Sequence, residues 1–447
     1  MFSALEKILM PLADKLGKNK VLVAIRDGFL VTTPLIIVGS IFLLIANFPI
    51  TGWEEMVAKV LGEGWKSWFT NVSTAIFSLT AIFSCMGTGY AYARELKTDK
   101  IQGAAVALVS FFIVMPTKIP YVGVDGEATM NALGFEYIGS NGLFLSLVIA
   151  LVSVWVFSWV YKKGWTIKMP AGVPPAVSDS FAALIPTAFV MTLFFFVRIA
   201  FEFTPYETAH NFIYQVLQTP LKGFGNTLGA QVVYSVACSG FWFFGINGPA
   251  VANTVFSPIL KVLTIENLEA LQAGLPLPNI FTGPFTDFLT TFGGGGSTLS
   301  LVIVMLLFCK SKRITQLGKL SIVPGIFGIN EPIIFGLPIV LNPILIIPFI
   351  GVPLINLILS TIITKMGIIP YTTGVSLPWT TPIIASGYLS TGSLVTSVWQ
   401  VILLVLGCVI YLPFIKILDK QYLRDEENAR DNEDDDISFE ELAFDDL

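Results

Sequence analysis

Apolar residues in this chain neither alternate nor keep to one helical stripe. They fall in long blocks separated by short polar, glycine- or proline-bearing joints. A helix needs about 20 predominantly apolar residues to cross a bilayer. Residues 29–48, 74–93, 142–161, 182–201 and 393–415 are expected spans, and 226–245, 247–263, 297–309 and 343–364 add others, about ten in all. The two halves differ. Through residue 175 the blocks are regular, as in a packing or dimerisation scaffold. From 176 to 418 they are interrupted at 245–249, 276–278, 293–296, 324–338 and 370–382. Broken apolar segments expose backbone carbonyls and amides to a solute, so a transport pathway is expected in residues 176–418.

Composition supports this division. The chain has 447 residues, 54% hydrophobic and 13% charged, with mean hydropathy +0.75, whereas soluble domains carry about 25% charged residues. The expected fold class is an all-α polytopic membrane protein of about ten transmembrane helices with re-entrant hairpins. No cleavable signal peptide is expected, because residues 1–20 are amphipathic and lysine-bearing without a continuous apolar core. Cys85, Cys238, Cys309 and Cys408 stand singly in apolar surroundings, as buried thiols do, and no metal site is expected.

The net charge of -5 conceals two opposite regions. Residues 425–447 hold twelve acidic side chains and only Arg430, while the remaining body is net positive by 6. An acidic, disordered cytoplasmic tail is expected over 419–447. Its apolar Ile437, Phe439, Leu442 and Phe444 leave a docking role open. Cations place the other ends. Lys7, Lys15, Lys18, Lys20 and Arg26 precede the first span. Arg94, Lys97 and Lys100, then Lys162, Lys163 and Lys168, and then Lys310, Lys312 and Arg313 mark further inside ends. Lys416, Lys420 and Arg424 place the C-terminus inside beside the N-terminus. The localisation expected is a cytoplasmic membrane, crossed many times.

Candidate chemistry concentrates in Gly325–Pro343, GIFGINEPIIFGLPIVLNP. A carboxylate at the centre of a membrane costs about 2.5–3.5 kcal/mol, so it normally has a polar partner or a water-filled cavity. Glycines and prolines around Glu331 predict unwound backbone, which survives at membrane depth only where protein buries it or it lines a cavity. Glu331 and the Asn330 amide are thus candidates for a polar site; the alternative is a solvated cytoplasmic loop. His210, in TPYETAHNF, reads as an exposed, incidental residue of an outer loop. TFGGGGSTLS (291–300) lacks the lysine of a phosphate-binding loop and suits close backbone approach, with Gly294 a candidate contact. Trp379, in SLPWTTP, is a candidate platform for a sugar ring, because an aromatic face suits pyranose C–H groups. No soluble catalytic domain, ATP-binding motif or nucleic-acid partner is expected.

AIRDGFLVTTPLIIVGS (24–40), FWFFGINGPAVANTVFSPI (241–259) and GINEPIIFGLPIVLNP (328–343), in this order, resemble one family. It is the membrane-spanning C component of the lactose/cellobiose/diacetylchitobiose family of the bacterial phosphoenolpyruvate-dependent sugar phosphotransferase system. The resemblance spans about residues 5–418. It implies a homodimer, ten membrane helices and a disaccharide held by the C-terminal half. The family's GINEP glutamate falls on Glu331 and its site tryptophan on Trp379. Its GIHG histidine falls on Asn247, a departure, since an amide hydrogen-bonds a hydroxyl but takes no proton near neutrality. Glu331 remains the candidate base, and the expected substrate-binding set is Asn247, Asn253, Gly294, Asn330, Glu331 and Trp379. No cofactor is implied. The phosphoryl group comes from phosphoenolpyruvate through separate phosphocarriers and an A component to a separate B component bearing a phosphocysteine. The choice among cellobiose, lactose and chitobiose stays open, and the alternative class is an ion-coupled sugar symporter.

Overall fold

The computed structural model describes residues 15, 18–48, 50, 52–123, 126–170, 172–337, 339, 340, 342 and 344–444. Most of the amphipathic N-terminal stretch, Pro338, Pro343 and the tail side chains from 429 onward lie outside the described residues. The described elements are α1 (Lys20–Ala46), α2 (Trp53–Leu61), α3 (Trp65–Phe77), α4 (Thr80–Glu95), α5 (Lys100–Val114), β1 (Lys118–Gly123), β2 (Gly126–Asn131), α6 (Phe135–Ile138), α7 (Leu143–Lys162), α8 (Pro175–Glu202), α9 (Ala209–Ile213), α10 (Thr219–Gly225) and α11 (Leu228–Phe243). They continue with α12 (Gly248–Gln272), α13 (Gly283–Leu289), α14 (Thr298–Phe308), α15 (Lys312–Ile326), α16 (Glu331–Gly336), α17 (Ile346–Lys365), α18 (Ala385–Thr391) and α19 (Leu394–Phe444).

Two features depart from an all-helical expectation of even spans. The β1–β2 hairpin pairs Lys118 with Asn131 and Gly123 with Gly126, with Ile119, Tyr121 and Val122 favouring a strand and a glycine on each side of the turn. The expected span 74–93 is two helices, α3 and α4, bent by 40° at the break between them. The Thr80 hydroxyl donates to the Phe77 carbonyl there at 2.7 Å, taking a group that the broken ladder leaves open. Among the described residues, six helices are long and apolar enough to cross a membrane: α1, α7, α8, α12, α17 and the Leu394–Asn428 part of α19. The bent α3–α4 pair would make seven. Helices α5, α11 and α14, with 15, 16 and 11 residues, fall short of a full crossing.

The chain forms two compact units. The first holds Met1–Gln231, Ala250–Pro284 and Tyr371–Leu377; the second holds Val232–Pro249, Phe285–Pro370 and Pro378–Leu447. The single boundary read from sequence at 175 therefore falls inside the first unit, because the chain passes between units several times.

Small residues set the packing of the first unit. A Cβ on Gly28 of α1 would lie 2.6 Å from the Thr88 nitrogen, and one on Gly89 of α4 would lie 2.8 Å from the Ala107 Cβ. Helix association in lipid lacks a hydrophobic drive, so such close backbone approach supplies the contact. Arg94 at the end of α4 and Arg26 of α1 both pair with Asp27, which puts these two basic ends together. The segment 371–377 belongs here too. Asn267 of α12 donates to the carbonyls of Asn279 and Thr372 at 2.8 Å each, and Ser376 donates its N–H to the Ser40 hydroxyl at 2.9 Å.

In the second unit α19 carries much of the frame. It runs past 418, where the disordered tail was expected to begin. Asp419, only 2% exposed, accepts the N–H groups of Lys310 and Ser311 at 2.9 Å each. Glu426 accepts from the Ser311 hydroxyl at 2.7 Å and the Arg313 N–H at 3.1 Å. Carboxylates satisfy the orphan donors at a helix N-terminus and complement its dipole. The packed body thus extends through at least Glu426, correcting the boundary read from charge.

His210 is also corrected. It is 3% exposed rather than a surface residue, with its ring edge-on to Tyr137 at 4.7 Å. Burial holds its pKa down at about 4, against the opposing effect of a backbone hydrogen bond with Tyr137. Unfolded, the ring takes a proton near its ordinary 6.5 that the folded chain refuses until about 4. This contribution to stability is therefore complete above pH 6.5 and fades as pH falls toward 4. His210→Phe keeps the ring contact and removes the proton site. Thermal unfolding in detergent from pH 7 to 4 is expected to show a smaller loss of Tm in His210→Phe than in wild type. Equal losses would remove His210 as a source of acid sensitivity.

Candidate functional site

The site is built on two breaks in the second unit. The first is the glycine run between α13 and α14. Gly293, Gly294 and Gly296 have φ of 75°, 88° and 80°, values that side chains with a Cβ adopt only under strain. The turn's polar groups are met internally. Thr298 donates to the Gly293 carbonyl at 2.5 Å, and Tyr411 of α19 donates to the Gly296 carbonyl at 2.5 Å. The Ser297 hydroxyl accepts from the Phe292 N–H at 3.1 Å. Asn356 of α17, fully buried, donates to the Thr290 carbonyl at 3.1 Å. Nearby, Gln400 of α19 accepts from the N–H groups of Ile384 and Gly387 and donates to the Phe288 carbonyl at 2.8 Å. Buried away from water an unmet backbone group costs several kcal/mol, which explains a polar frame this dense.

The second break lies between α15 and α16. Pro324 sits in the last turn of α15, Gly328 has φ of 81°, and Asn330 precedes the six-residue α16 that begins at Glu331. The Asn330 side chain, 5% exposed, donates to the Gly295 carbonyl at 2.8 Å and so joins the two breaks. A Cβ on Gly294 would lie 2.7 Å from both the Asn330 Cγ and the Gly328 carbonyl oxygen. Only a glycine admits this approach.

Four of the expected site residues meet here. Gly294 adjoins Asn330, Glu331 follows Asn330 in the chain, and the Trp379 ring lies against Gly328, 3.3 Å from where a Cβ would stand. Trp379 is 63% exposed, leaving its ring open. The Glu331 carboxylate is exposed and makes no hydrogen bond among the described residues. Asn247 is exposed in the turn after α11, two residues from Gly245, whose open side faces Val340. Asn253 lies on the part of α12 that belongs to the first unit, and so is not grouped with the others.

Sequence reasoning takes Trp242 for one of the aromatics that flank broken segments, mostly core or interface anchors, and passes over the other supporting side chains. The Trp242 indole N–H is buried without a hydrogen-bond partner among the described residues and lies beside Gly295, with Nε1 3.0 Å from where a Cβ would stand. Asn356, Gln400 and Tyr411 are polar residues inside otherwise apolar spans, and that isolation was the available signal. Lys261, in the first unit, gave the same signal. Its ammonium donates to the Phe29 carbonyl at 3.1 Å and to the hydroxyls of Thr32 and Thr33 at 3.2 and 3.1 Å.

The family model described as "Phosphotransferase system, EIIC" matches residues 26–353. The chain belongs to the phosphotransferase-system EIIC family. Among EIIC relatives it is similar to the lichenan permease IIC component of Bacillus subtilis (strain 168), 40% identical over 94% of each chain. It is 38% identical to the cellobiose-specific EIIC component of Geobacillus stearothermophilus, over 95% of each. The crystal structure of the transporter ChbC, the IIC component from the N,N'-diacetylchitobiose-specific phosphotransferase system, matches with TM-score 0.92 at 39% identity. That match covers 95% of this chain and 99% of ChbC. Nothing in these matches supports the symporter alternative.

The glycine turn makes its own test. Gly294→Ala must carry a Cβ into Asn330 and hold a left-handed backbone, a strain of about 1–3 kcal/mol. Gly229→Ala, in α11, meets nothing within 4 Å and is expected to be neutral or slightly stabilising. Thermal unfolding in detergent should separate the two, with Gly294→Ala alone lowering Tm. Equal midpoints would mean that the turn has room which its geometry denies.

Proposed function

We propose that this EIIC chain binds a β-linked disaccharide of the cellobiose or chitobiose type, carries it across the cytoplasmic membrane and presents its 6-hydroxyl for phosphorylation. The observation that carries the reading is the junction of the two broken segments, where Asn330 bonds the glycine turn beside the open Glu331 carboxylate and the open Trp379 ring. The relatives named for lichenan and cellobiose support a β-glucoside substrate. In this reading the two breaks are re-entrant hairpins. The short helices α5, α11 and α14 join the seven longer candidates to make ten spans, both termini face the cytoplasm, and two copies form a homodimer in the lipid bilayer.

Each site residue has a role. The Trp379 face stacks on the C–H face of a pyranose. The Asn247 amide and the Glu331 carboxylate hydrogen-bond sugar hydroxyls, with Gly294 giving backbone access. The chain acts as the sugar-binding, translocating component of a multi-subunit transferase, with no phosphorylated residue of its own. A separate B component supplies the phosphoryl group on cysteine. It is charged from phosphoenolpyruvate through the general carriers and an A component. The P–S bond breaks as a P–O bond forms to the sugar, the cysteine leaves as thiolate, and Glu331 orients the hydroxyl and accepts its proton.

Glu331→Gln keeps the shape and removes the charge. Charge-assisted hydrogen bonds contribute about 1.5–3 kcal/mol, so cellobiose binding by calorimetry should weaken about ten- to a hundredfold. In vesicles supplied with phosphoenolpyruvate, carriers and B component, sugar phosphate formation should fall further still. Glu202→Gln, exposed at the end of α8, is the neutral control. Wild-type binding and phosphorylation in Glu331→Gln would refute the site.

Asn247→His restores the imidazole of the family pattern and is expected to keep the fold while making uptake pH-dependent between about pH 5 and 8. An unchanged pH and sugar profile would mean that Asn247 does not touch the sugar.

A further inference from the structure

A second concave surface lies at the other end of the helix that begins with Glu331. It is a cleft of about 560 Å³ lined by Lys312, Arg313, Gln316, Leu317, Leu320, Gly336 and Glu426. Its floor is fixed by packing: a Cβ on Gly336 would run into the Leu317 side chain, so the end of α16 sits directly on α15. One wall is the first turn of α15, whose Lys312, Arg313 and Gln316 side chains are exposed. The opposite wall is α19, where the Arg313 guanidinium stacks on the Tyr422 ring at 4.6 Å. Glu426 already presents an anion to this wall, accepting from the Lys312 N–H at 3.2 Å and the Arg313 N–H at 3.1 Å.

We propose that this cleft docks the phosphoryl-bearing loop of the separate B component. Three observations fit that occupant. Two exposed cations offer a dianionic phosphothiolate the charge it lacks, and arginine takes phosphate oxygens in pairs. The Lys312 and Arg313 N–H groups already donate to a carboxylate, that of Glu426, which a phosphoryl group with the same bonding needs would displace to bond there. Gly336 in the cleft and Glu331 in the sugar site are the two ends of α16, roughly 7–8 Å apart at 1.5 Å per residue. A donor held in the cleft is one short helix from the acceptor. The inference rests on the proposed function and on the inside-facing reading of Lys310, Lys312 and Arg313.

The test uses the full chain in vesicles with phosphoenolpyruvate, the general carriers, an A component and a purified cellobiose-type B component. Arg313→Glu reverses one charge and also removes the Tyr422 contact. Gln316→Glu places a negative charge in the cleft at a side chain with no hydrogen bond among the described residues, and so guards against misfolding. Both are expected to raise the KM for the B component at least tenfold and to flatten its dependence on salt. Cellobiose affinity of the same preparations should stay within about threefold of wild type. An unchanged KM for the B component in Gln316→Glu, with wild-type sugar affinity, overturns the docking site and leaves the sugar site standing. Absence of sugar binding or of sugar phosphate in wild type overturns the proposed function itself.

Discussion

The second unit depends on keeping a four-glycine turn hydrogen-bonded without water. A backbone that leaves its helix inside a membrane loses its internal partners, and lipid offers none. Here the partners come from distant side chains: Tyr411 and Asn330 to the glycine carbonyls, with Asn356 and Gln400 holding the flanking residues. Each is a polar group that would itself be costly in an apolar span. Two costs thus cancel, the orphaned backbone against the buried side chain, and the cancellation works in one geometry only. That is the physical basis for a fixed turn rather than a flexible one.

The first unit meets the same solvent with another solution. Its long helices keep their own hydrogen bonds and gain association from close contact at Gly28, Gly87, Gly89 and Gly103. Side-chain bonds add to this: Lys261 is held by a carbonyl and two hydroxyls near the proline of α1, and Asn267 bonds the carbonyls of Asn279 and Thr372. Side-chain bonds thus brace both units, and in the second they hold a backbone that has left its helix.

How much of this was legible in sequence follows the range of the interactions. The broken character of the Glu331 segment was legible, because glycine and proline act locally. Close approach at the glycine run was legible too, but not its partner, since Asn330 lies 35 residues further on. Distance defeated the reading of the acidic tail as well. Local charge gave no sign that Asp419 and Glu426 answer helix donors more than a hundred residues earlier. His210 was misread for a related reason: its neighbour Tyr137 is remote in the chain. Asn253 follows closely on Asn247 in sequence, yet the two belong to different units.

Helix α19 touches both ends of this arrangement. Gln400 and Tyr411 brace the glycine turn, while Asp419 and Glu426 fasten the start of α15. From Gln400 to Glu426 a helix measures roughly 39 Å, and each residue turns the next by about 100°. This helix therefore acts as a ruler. Removing one residue between Tyr411 and Asp419 would leave hydrophobicity almost untouched, yet would swing both carboxylates off the donors that they cap. Natural variation in length should be absent from that stretch and concentrated in the joints between helices, where nothing is measured against anything else.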